Sequence, residues 1–402
     1  MTTNKLTSIP HRRPDSCRLS VIIPAYNEAQ AIDAVLHRVV AQRARLRARG
    51  VTDLQVIVVD DGSQDDTAER VARHPGVRLV RHSVNQGYGA ALKTGFGHAA
   101  GDLLAFLDAD GTYPPESLPD LCSEVLRHDT DLVVGSRMLG AASHMPLVRR
   151  IGNILFAFLL SVVGGRRISD STSGMRVFKP RSLPALYSLP DGLDFTPVMS
   201  LRALYEGLRV TELAIPYGER VGQSKLAAAK DGVRFLRSIT WTAVRYNPRG
   251  IFGTLGLALL FLACAWGASP VVYYLHYRSV PEDSVYRLLA VLIVSAVSIN
   301  MLGFGLLSAT ILSVLPGWRA RRPLLSKRLE KLLAWTGLGL FLAGVGLVAP
   351  SGIEWLETSR ITRHWSYLAA GGTLILAGLQ LSTWFALLTL AEDVASDQGD
   401  AK

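Results

Sequence analysis

Four apolar segments fill the C-terminal part of the chain: Ile251 to Tyr274, Leu288 to Leu315, Leu332 to Val348 and Tyr367 to Leu390. Each reaches the roughly 17 residues needed to cross the hydrocarbon core of a bilayer. With no water there to bond the backbone, such a run must be helical. The expectation is an all-α transmembrane domain of four helices over 249–391 and a cytosolic tail over 392–402, the third span being the shortest. The 402 residues are 49% hydrophobic and 19% charged, and the charges lie mostly ahead of these segments and in one loop. Arg319, Arg321, Arg322, Lys327, Arg328 and Lys331 separate the second and third segments, whereas the other two loops are near balance. The positive-inside rule puts the basic loop, and with four spans both termini, in the cytosol.

Before residue 250, short apolar runs alternate with charged helical stretches. Strands are expected at Leu19 to Pro24, Leu54 to Asp60, Val77 to Val80, Leu103 to Asp108 and Leu132 to Gly135. Helices are expected at Glu28 to Arg49, Asp65 to Arg73, Ala90 to Ala99 and Pro115 to Arg127. This alternation predicts an α/β domain with a Rossmann-like, mostly parallel sheet, over residues 18–225. Met1 to Ser16 carries no secretory signal and reads as a disordered tail within 1–17, which keeps the α/β domain in the cytosol. Two further stretches are amphipathic. Leu147 to Val163 suits a helix in the headgroup plane, and packing on the domain's own sheet is equally compatible. Residues 226–248 read as a juxtamembrane amphipathic helix.

Two acidic turns follow buried strands: Asp60-Asp61-Gly62-Ser63 and Asp108-Ala109-Asp110. Residues i and i+2 of an extended segment share a face, so Asp108 and Asp110 present paired carboxylates at a strand's C-terminal edge. Ligands collect there in open α/β sheets. Hard oxygen donors suit Mg²⁺ or Mn²⁺, whose other ligands are commonly water and substrate phosphates, so a nucleotide derivative is expected. No Gly-x-Gly-x-x-Gly follows the first strand, which reads Pro24-Ala25-Tyr26-Asn27-Glu28 and speaks against a dinucleotide site. Asn85-Gln86-Gly87-Tyr88-Gly89 could offer backbone N–H groups to an anion. The net charge of +10 clusters beside apolar segments, which favours anionic lipid over nucleic acid. Cys17, Cys122 and Cys264 show neither metal-ligand spacing nor a disulfide framework.

These residues resemble family 2 glycosyltransferases of the GT-A fold, and among them the polyprenyl-phosphate hexose synthases. The matching stretches are Val21 to Glu28, Val59 to Ser63, Asn85 to Ala91, Asp108 to Pro114, Gly135-Ser136-Arg137, Asp170 to Arg176 and Arg220 to Lys225. The resemblance implies that Pro24, Tyr26, Glu28, Val59, Asp61, Asp108 and Ala109 hold the nucleotide. Asp108 and Asp110 would hold the metal, with Thr112 where some members supply a Gln ligand. Asp110, Arg220 and Lys225 would be catalytic, the last two closing over the diphosphate. Arg137, with Arg149 or Arg150, would bind the lipid phosphate. The spacing from Arg220 to Gly222 is one residue shorter than in the mannose synthases. The implied reaction moves a hexose, with inversion, from a UDP- or GDP-sugar to a polyprenyl phosphate at the cytosolic face of the cell membrane. A homo-oligomer is compatible with this.

Two other readings compete. A polysaccharide synthase of the same fold would use a hydroxyl acceptor, but no Gln-x-x-Arg-Trp follows the acidic motifs. A membrane scaffold or transporter subunit with a degenerate nucleotide-binding domain has no reason to keep both carboxylates. A hydroxyl acceptor needs a general base, for which Asp191 and Asp194 are the candidates, and both also suit a solvated loop or a helix N-cap.

Overall fold

The computed structural model describes residues 17–140, 143, 145–222, 228–277, 279, 284–314, 327–362 and 364–400. The expected N-terminal tail, Gln223 to Lys225 and most of the basic loop lie outside them. The chain divides into two compact units at Ala243–Val244.

The first unit carries strands β1 (Arg18–Ala25), β2 (Asp53–Asp60), β3 (Val77–Arg81), β4 (Leu103–Phe106), β5 (Leu132–Ser136), β6 (Arg176–Phe178) and β7 (Val210–Ala214). They form one sheet in the order β3-β2-β1-β4-β6-β5-β7. The first four are mutually parallel, while β6 runs antiparallel to both β4 and β5. The five strands expected from sequence are all present. β6 was not expected, because three residues give no period-2 signal, and neither was the half-exposed β7.

Its helices are α1 (Ile32–Ala41), α2 (Arg43–Ala48), α3 (Thr67–Ala72), α4 (Tyr88–His98), α5 (Leu118–Arg127), α6 (Leu147–Gly164), α7 (Leu183–Leu186), α8 (Phe195–Tyr205) and α9 (Ala228–Tyr246). The single helix expected over Glu28 to Arg49 breaks at Gln42, whose side chain turns back to the Arg38 carbonyl. Helices cover both sheet faces, which is why the parallel strands read as near-continuous apolar runs. Val21, Ile23, Val56 and Val58 pack with Ile32, Leu36, Leu118 and Leu121 on one side. Ile22, Ile57, Val59 and Phe106 pack with Leu92, Phe195 and Met199 on the other.

Helix α6 packs along one stripe and exposes an apolar stripe along the other. Asn153, Ala157 and Leu160 are buried, while Leu147, Ile151, Leu155, Phe158 and Val162 are exposed. Tyr205 Oη of α8 donates to the Val163 carbonyl at 3.0 Å, so one stripe is fastened to the sheet unit and the opposite apolar stripe is exposed among the described residues. In α9, Phe235, Ile239 and Ala243 are buried and Val233, Leu236 and Trp241 exposed.

The second unit consists of α10 (Pro248–Tyr277), α11 (Ser284–Val314), α12 (Lys327–Thr358) and α13 (Trp365–Asp400). All four are long and apolar enough to cross a membrane, and so by length and composition is α6, making five among the described residues. The third span is not short: its apolar stretch runs from Lys331 to Thr358, through Pro350. Small residues let these helices approach closely, as membrane helices do without a hydrophobic force between them. Ser298 Oγ reaches the Gly256 carbonyl across the α10–α11 contact at 2.7 Å. A Cβ on Gly303 would lie 2.1 Å from the Trp384 ring.

Gly303→Ala should therefore lower the stability of the purified protein in detergent by about 1–3 kcal/mol, the usual cost of overpacking. Gly346→Ala, where a Cβ would meet nothing within 4 Å, should leave it unchanged or raise it. Thermal unfolding of both variants checks the pair; equal behaviour would contradict the close α11–α13 contact.

Candidate active site

Strands β1, β2 and β4 are parallel, so their C-terminal ends meet at one edge of the sheet. The register sets Pro24 beside Val59 and Ala25 beside Asp60; beyond β4, Leu107 N bonds the Ile22 carbonyl. Tyr26, Glu28, Asp61, Asp108 and Asp110 are thereby gathered from segments far apart in sequence.

Asp61 faces inward. Its carboxylate accepts from Gln86 N and Gly87 N, each at 2.9 Å, and pairs with His82 Nδ1 at 2.7 Å. The anion cradled by the Asn85-to-Gly89 turn is thus this chain's own side chain, and Asp61 organises the pocket wall where base or ribose contact was expected. Val59 is fully buried in the core.

Asp108 accepts from Tyr88 Oη at 2.8 Å, and Tyr88 leans edge-on against Phe195. A Cβ on Gly174 would fall 2.3 Å from Asp108 Oδ2, so only glycine lets that loop close behind the carboxylate. Gly174 N is itself tied to Tyr113 Oη at 2.7 Å. Burial, then the neighbouring Asp110 charge, push the Asp108 carboxyl up to about 7. Asp110 accepts from Thr112 N and Thr112 Oγ1 at 3.1 and 2.6 Å. Thr112 therefore orients Asp110 with its backbone N–H and its hydroxyl proton. Arg220 bridges Asp110 Oδ2 at 3.0 Å and Glu28 Oε1 at 2.6 Å. Val221 N bonds the Asp110 carbonyl, laying the 217–221 segment over the acidic turn. Lys225, the other expected catalytic cation, lies outside the described residues.

Among the described residues no three His, Cys, Asp or Glu side chains converge as a metal cluster. The donor set nevertheless fits a hard cation. Two carboxylates from one turn, one of them raised by burial and like charge, would be relieved by a divalent ion that takes its other ligands from outside the protein.

The Arg137 guanidinium makes a two-pronged pair with Asp170, both bonds 2.7 Å, and also donates to Thr172 Oγ1 at 2.9 Å. It stacks over the Tyr113 and Tyr217 rings and is only 9% exposed. Burial opposes the charge on Asp170, but the charge and hydrogen bonds of Arg137 outweigh it and hold that carboxyl low. Arg137 is thus held by Asp170 and Thr172 through Nε and Nη2. Arg149 and Arg150 sit on the first turn of α6, half-buried and exposed respectively.

Neither candidate base stands alone. The Asp191 carbonyl caps α4 by accepting from Gly89 N and Ala90 N, and its carboxylate pairs with Lys93 at 2.5 Å. Asp194 accepts from Ser238 Oγ of α9 at 2.6 Å. Tyr88, Thr172, Gly174 and Asn153 carried no assigned role in the sequence. Tyr88, Thr172 and Gly174 were visible as motif letters, but their partners Asp108, Arg137 and Tyr113 lie 20 or more residues away, and Asn153 meets Ser171 and Thr172 across a turn of the chain.

An acidic pair stands at the C-terminal edge of a mostly parallel sheet, in a chain that also carries helices long and apolar enough to cross a membrane. Residues 20–186 match the Glycosyl transferase family 2 domain, and residues 248–400 match a domain of unknown function (DUF8752). A dolichyl-phosphate hexose transferase of Haloferax volcanii is 33% identical over 224 residues, 55% of this chain and 92% of that one. An undecaprenyl-phosphate mannosyltransferase of Micrococcus luteus is 32% identical over 254 residues, 60% of this chain and all of that one. The match to the Haloferax volcanii low-salt glycan biosynthesis hexosyltransferase Agl6, at 33%, spans 60% of its length. Among solved structures, glucosyl-3-phosphoglycerate synthase from Mycobacterium tuberculosis is 20% identical, covering 56% of this chain and 78% of that one with a TM-score of 0.46. The chain belongs to glycosyltransferase family 2. It is a glycosyltransferase whose relatives include polyprenyl-phosphate sugar transferases.

Arg137→Ala should cost about 3–5 kcal/mol of stability, the usual effect of orphaning a buried charge, here Asp170. Chemical unfolding of the first unit's signal checks this. An unchanged midpoint with only a raised acceptor KM would identify Arg137 as a phosphate ligand.

Proposed function

We propose that this enzyme moves a hexose from a UDP- or GDP-sugar to a polyprenyl phosphate, with inversion, at the cytosolic membrane face. The observation that carries the proposal is the Asp108–Asp110 pair at the sheet edge, half-buried and buried respectively, in the same unit that exposes the apolar stripe of α6. The names of the relatives support the acceptor class. An acceptor whose tail stays in the bilayer requires a site close to the headgroups, and α6 gives the unit an apolar surface for that position. Arg149 and Arg150, on its first turn, are candidates for the acceptor phosphate beside Arg137. The basic loop around Arg319 to Lys331 supports a cytosolic catalytic unit.

In this mechanism an oxygen of the acceptor phosphate forms a bond to the anomeric carbon. The bond from that carbon to the donor's diphosphate oxygen breaks, and the nucleoside diphosphate leaves with the electron pair. Asp108 and Asp110 would hold Mg²⁺ or Mn²⁺, which supplies charge to the departing diphosphate. Arg220, already placed between Glu28 and Asp110, and Lys225 supply further positive charge to the same oxygens. Tyr88, Thr112 and Gly174 keep the two carboxylates oriented. Binding both substrates side by side supplies much of the remaining rate. No proton need be removed, because a phosphate monoester, with a second pKa of about 6, is already largely ionised at neutral pH. In this reaction neither the Asp191 carboxylate, paired with Lys93, nor that of Asp194, which accepts from Ser238, is needed as a base.

Membranes containing the enzyme, given labelled nucleotide sugars and a polyprenyl phosphate, should produce label in extracted lipid. Asp110→Asn should remove most of this at limiting metal, whereas Asp191→Asn and Asp194→Asn should each keep most of it. Loss of roughly a hundredfold in either of the latter, the scale of a missing general base, would point to a hydroxyl acceptor and overturn the lipid-phosphate reading.

Helix α6 is tested separately. A nitroxide at Phe158→Cys, in the full chain reconstituted in liposomes, should be shielded from a water-soluble relaxant and reached by oxygen. Full access to the water-soluble relaxant would exclude an interfacial α6.

A further inference from the structure

The helical unit contains a cavity of about 400 Å³ along the seam of α10 and α11, within the roughly 300–1,000 Å³ typical of small-molecule sites. Its origin can be followed in the sequence. Asn247 precedes Pro248, which starts α10, and Asn247 Oδ1 accepts from Gly250 N at 3.0 Å. Gly250, Gly253, Thr254 and Leu257 then recur at helical spacing on one face and line the cavity. Leu302 and Leu306, one turn apart on α11, form its opposite wall. The helices are held together beside it by the Phe252–Phe304 edge contact, with centroids 4.8 Å apart, and by the Ser298–Gly256 bond. The space stays open because a Cβ on Gly253 would meet nothing within 4 Å.

The two ends of the cavity differ chemically. Arg249 and Asn247 stand where α10 begins, and Leu257, Leu302 and Leu306 stand deeper along an apolar helix long enough to cross a bilayer. Among the described residues no carboxylate pairs with Arg249, and Asn247 Nδ2 donates to no protein acceptor. A cation and an amide donor at the entry of a membrane-length helix, above a hydrocarbon wall, complement a phosphate with an attached hydrocarbon chain. The positive end of the helix dipole adds to that preference.

We propose that this cavity is a binding site for a membrane lipid's phosphate group and the first part of its hydrocarbon chain. Arg249 and Asn247 contact the phosphate, and the chain lies between Gly253 and the leucines. Two sources share this chemistry, an anionic phospholipid of the bilayer and a polyprenyl phosphate. The site stands on the helical unit alone and does not require the glycosyl-transfer reading of the first unit.

The test is native mass spectrometry of the full chain in detergent, titrated separately with dioleoyl phosphatidylglycerol and with farnesyl phosphate. Wild type should retain at least one of these ligands. Arg249→Gln, which removes the cation, and Gly253→Leu, which fills the space without changing charge, should each weaken that ligand at least tenfold. Lys331→Gln, an equal loss of charge outside the cavity, should not. Whichever ligand responds to both cavity variants identifies the source. Unchanged binding in Arg249→Gln would overturn the proposal, as would equal weakening by Lys331→Gln, because the attraction would then be diffuse.

Discussion

The pairing of Arg137 with Asp170 ties several parts of the first unit together, since a charge as buried as Asp170 must be satisfied by its neighbours. Burying them is costly unless geometry and hydrogen bonding are complete, and here both guanidinium prongs, the Arg137 backbone N–H and two aromatic faces take part. Asp170 also anchors the loop that runs to Gly174, and Gly174 closes behind Asp108. The same guanidinium reaches Thr172, whose hydroxyl donates to Asn153 of α6 at 3.0 Å. One buried pair thus connects the end of β5, the loop behind the acidic turn and the helix whose far side is apolar.

The site follows from where β6 runs. Because β6 is antiparallel to β4, its first residue, Arg176, stands beside Phe106 at the C-terminal end of β4. The preceding loop therefore arrives at the same edge as Asp108. A parallel strand in that place would have brought its following loop there instead. The guanidinium of Arg176, fully buried, bonds the carbonyls of Ser171, Ser173 and Thr196, and burial lowers it to about 10. It braces the loop through backbone oxygens and not through an ion pair.

The acidic turn gathers its support from every side. Tyr88 arrives on α4, Thr112 on the turn itself, and Arg220 on the segment after β7. The turn from Asn85 to Gly89 resembled an anion cradle, and it is one, filled by Asp61. Such internal use of a binding geometry is invisible to a motif, because the partner carboxylate sits at the end of another strand.

The sequence alone determined the division into an α/β unit and apolar helices, the parallel strands, and the presentation of Asp108 and Asp110 at a strand end. These depend on local periodicity and on an acidic turn placed directly after a buried strand, which neighbours along the chain decide. It also supplied the apolar length of α6. Only the tertiary structure decided that Arg137 is sealed against Asp170, that Thr112 serves Asp110, that Gly174 backs Asp108, and that α6 is fastened to the sheet unit along one stripe. Each of those outcomes joins residues distant in the chain, and each depends on how buried charge and hydrogen-bond donors find partners once water is excluded.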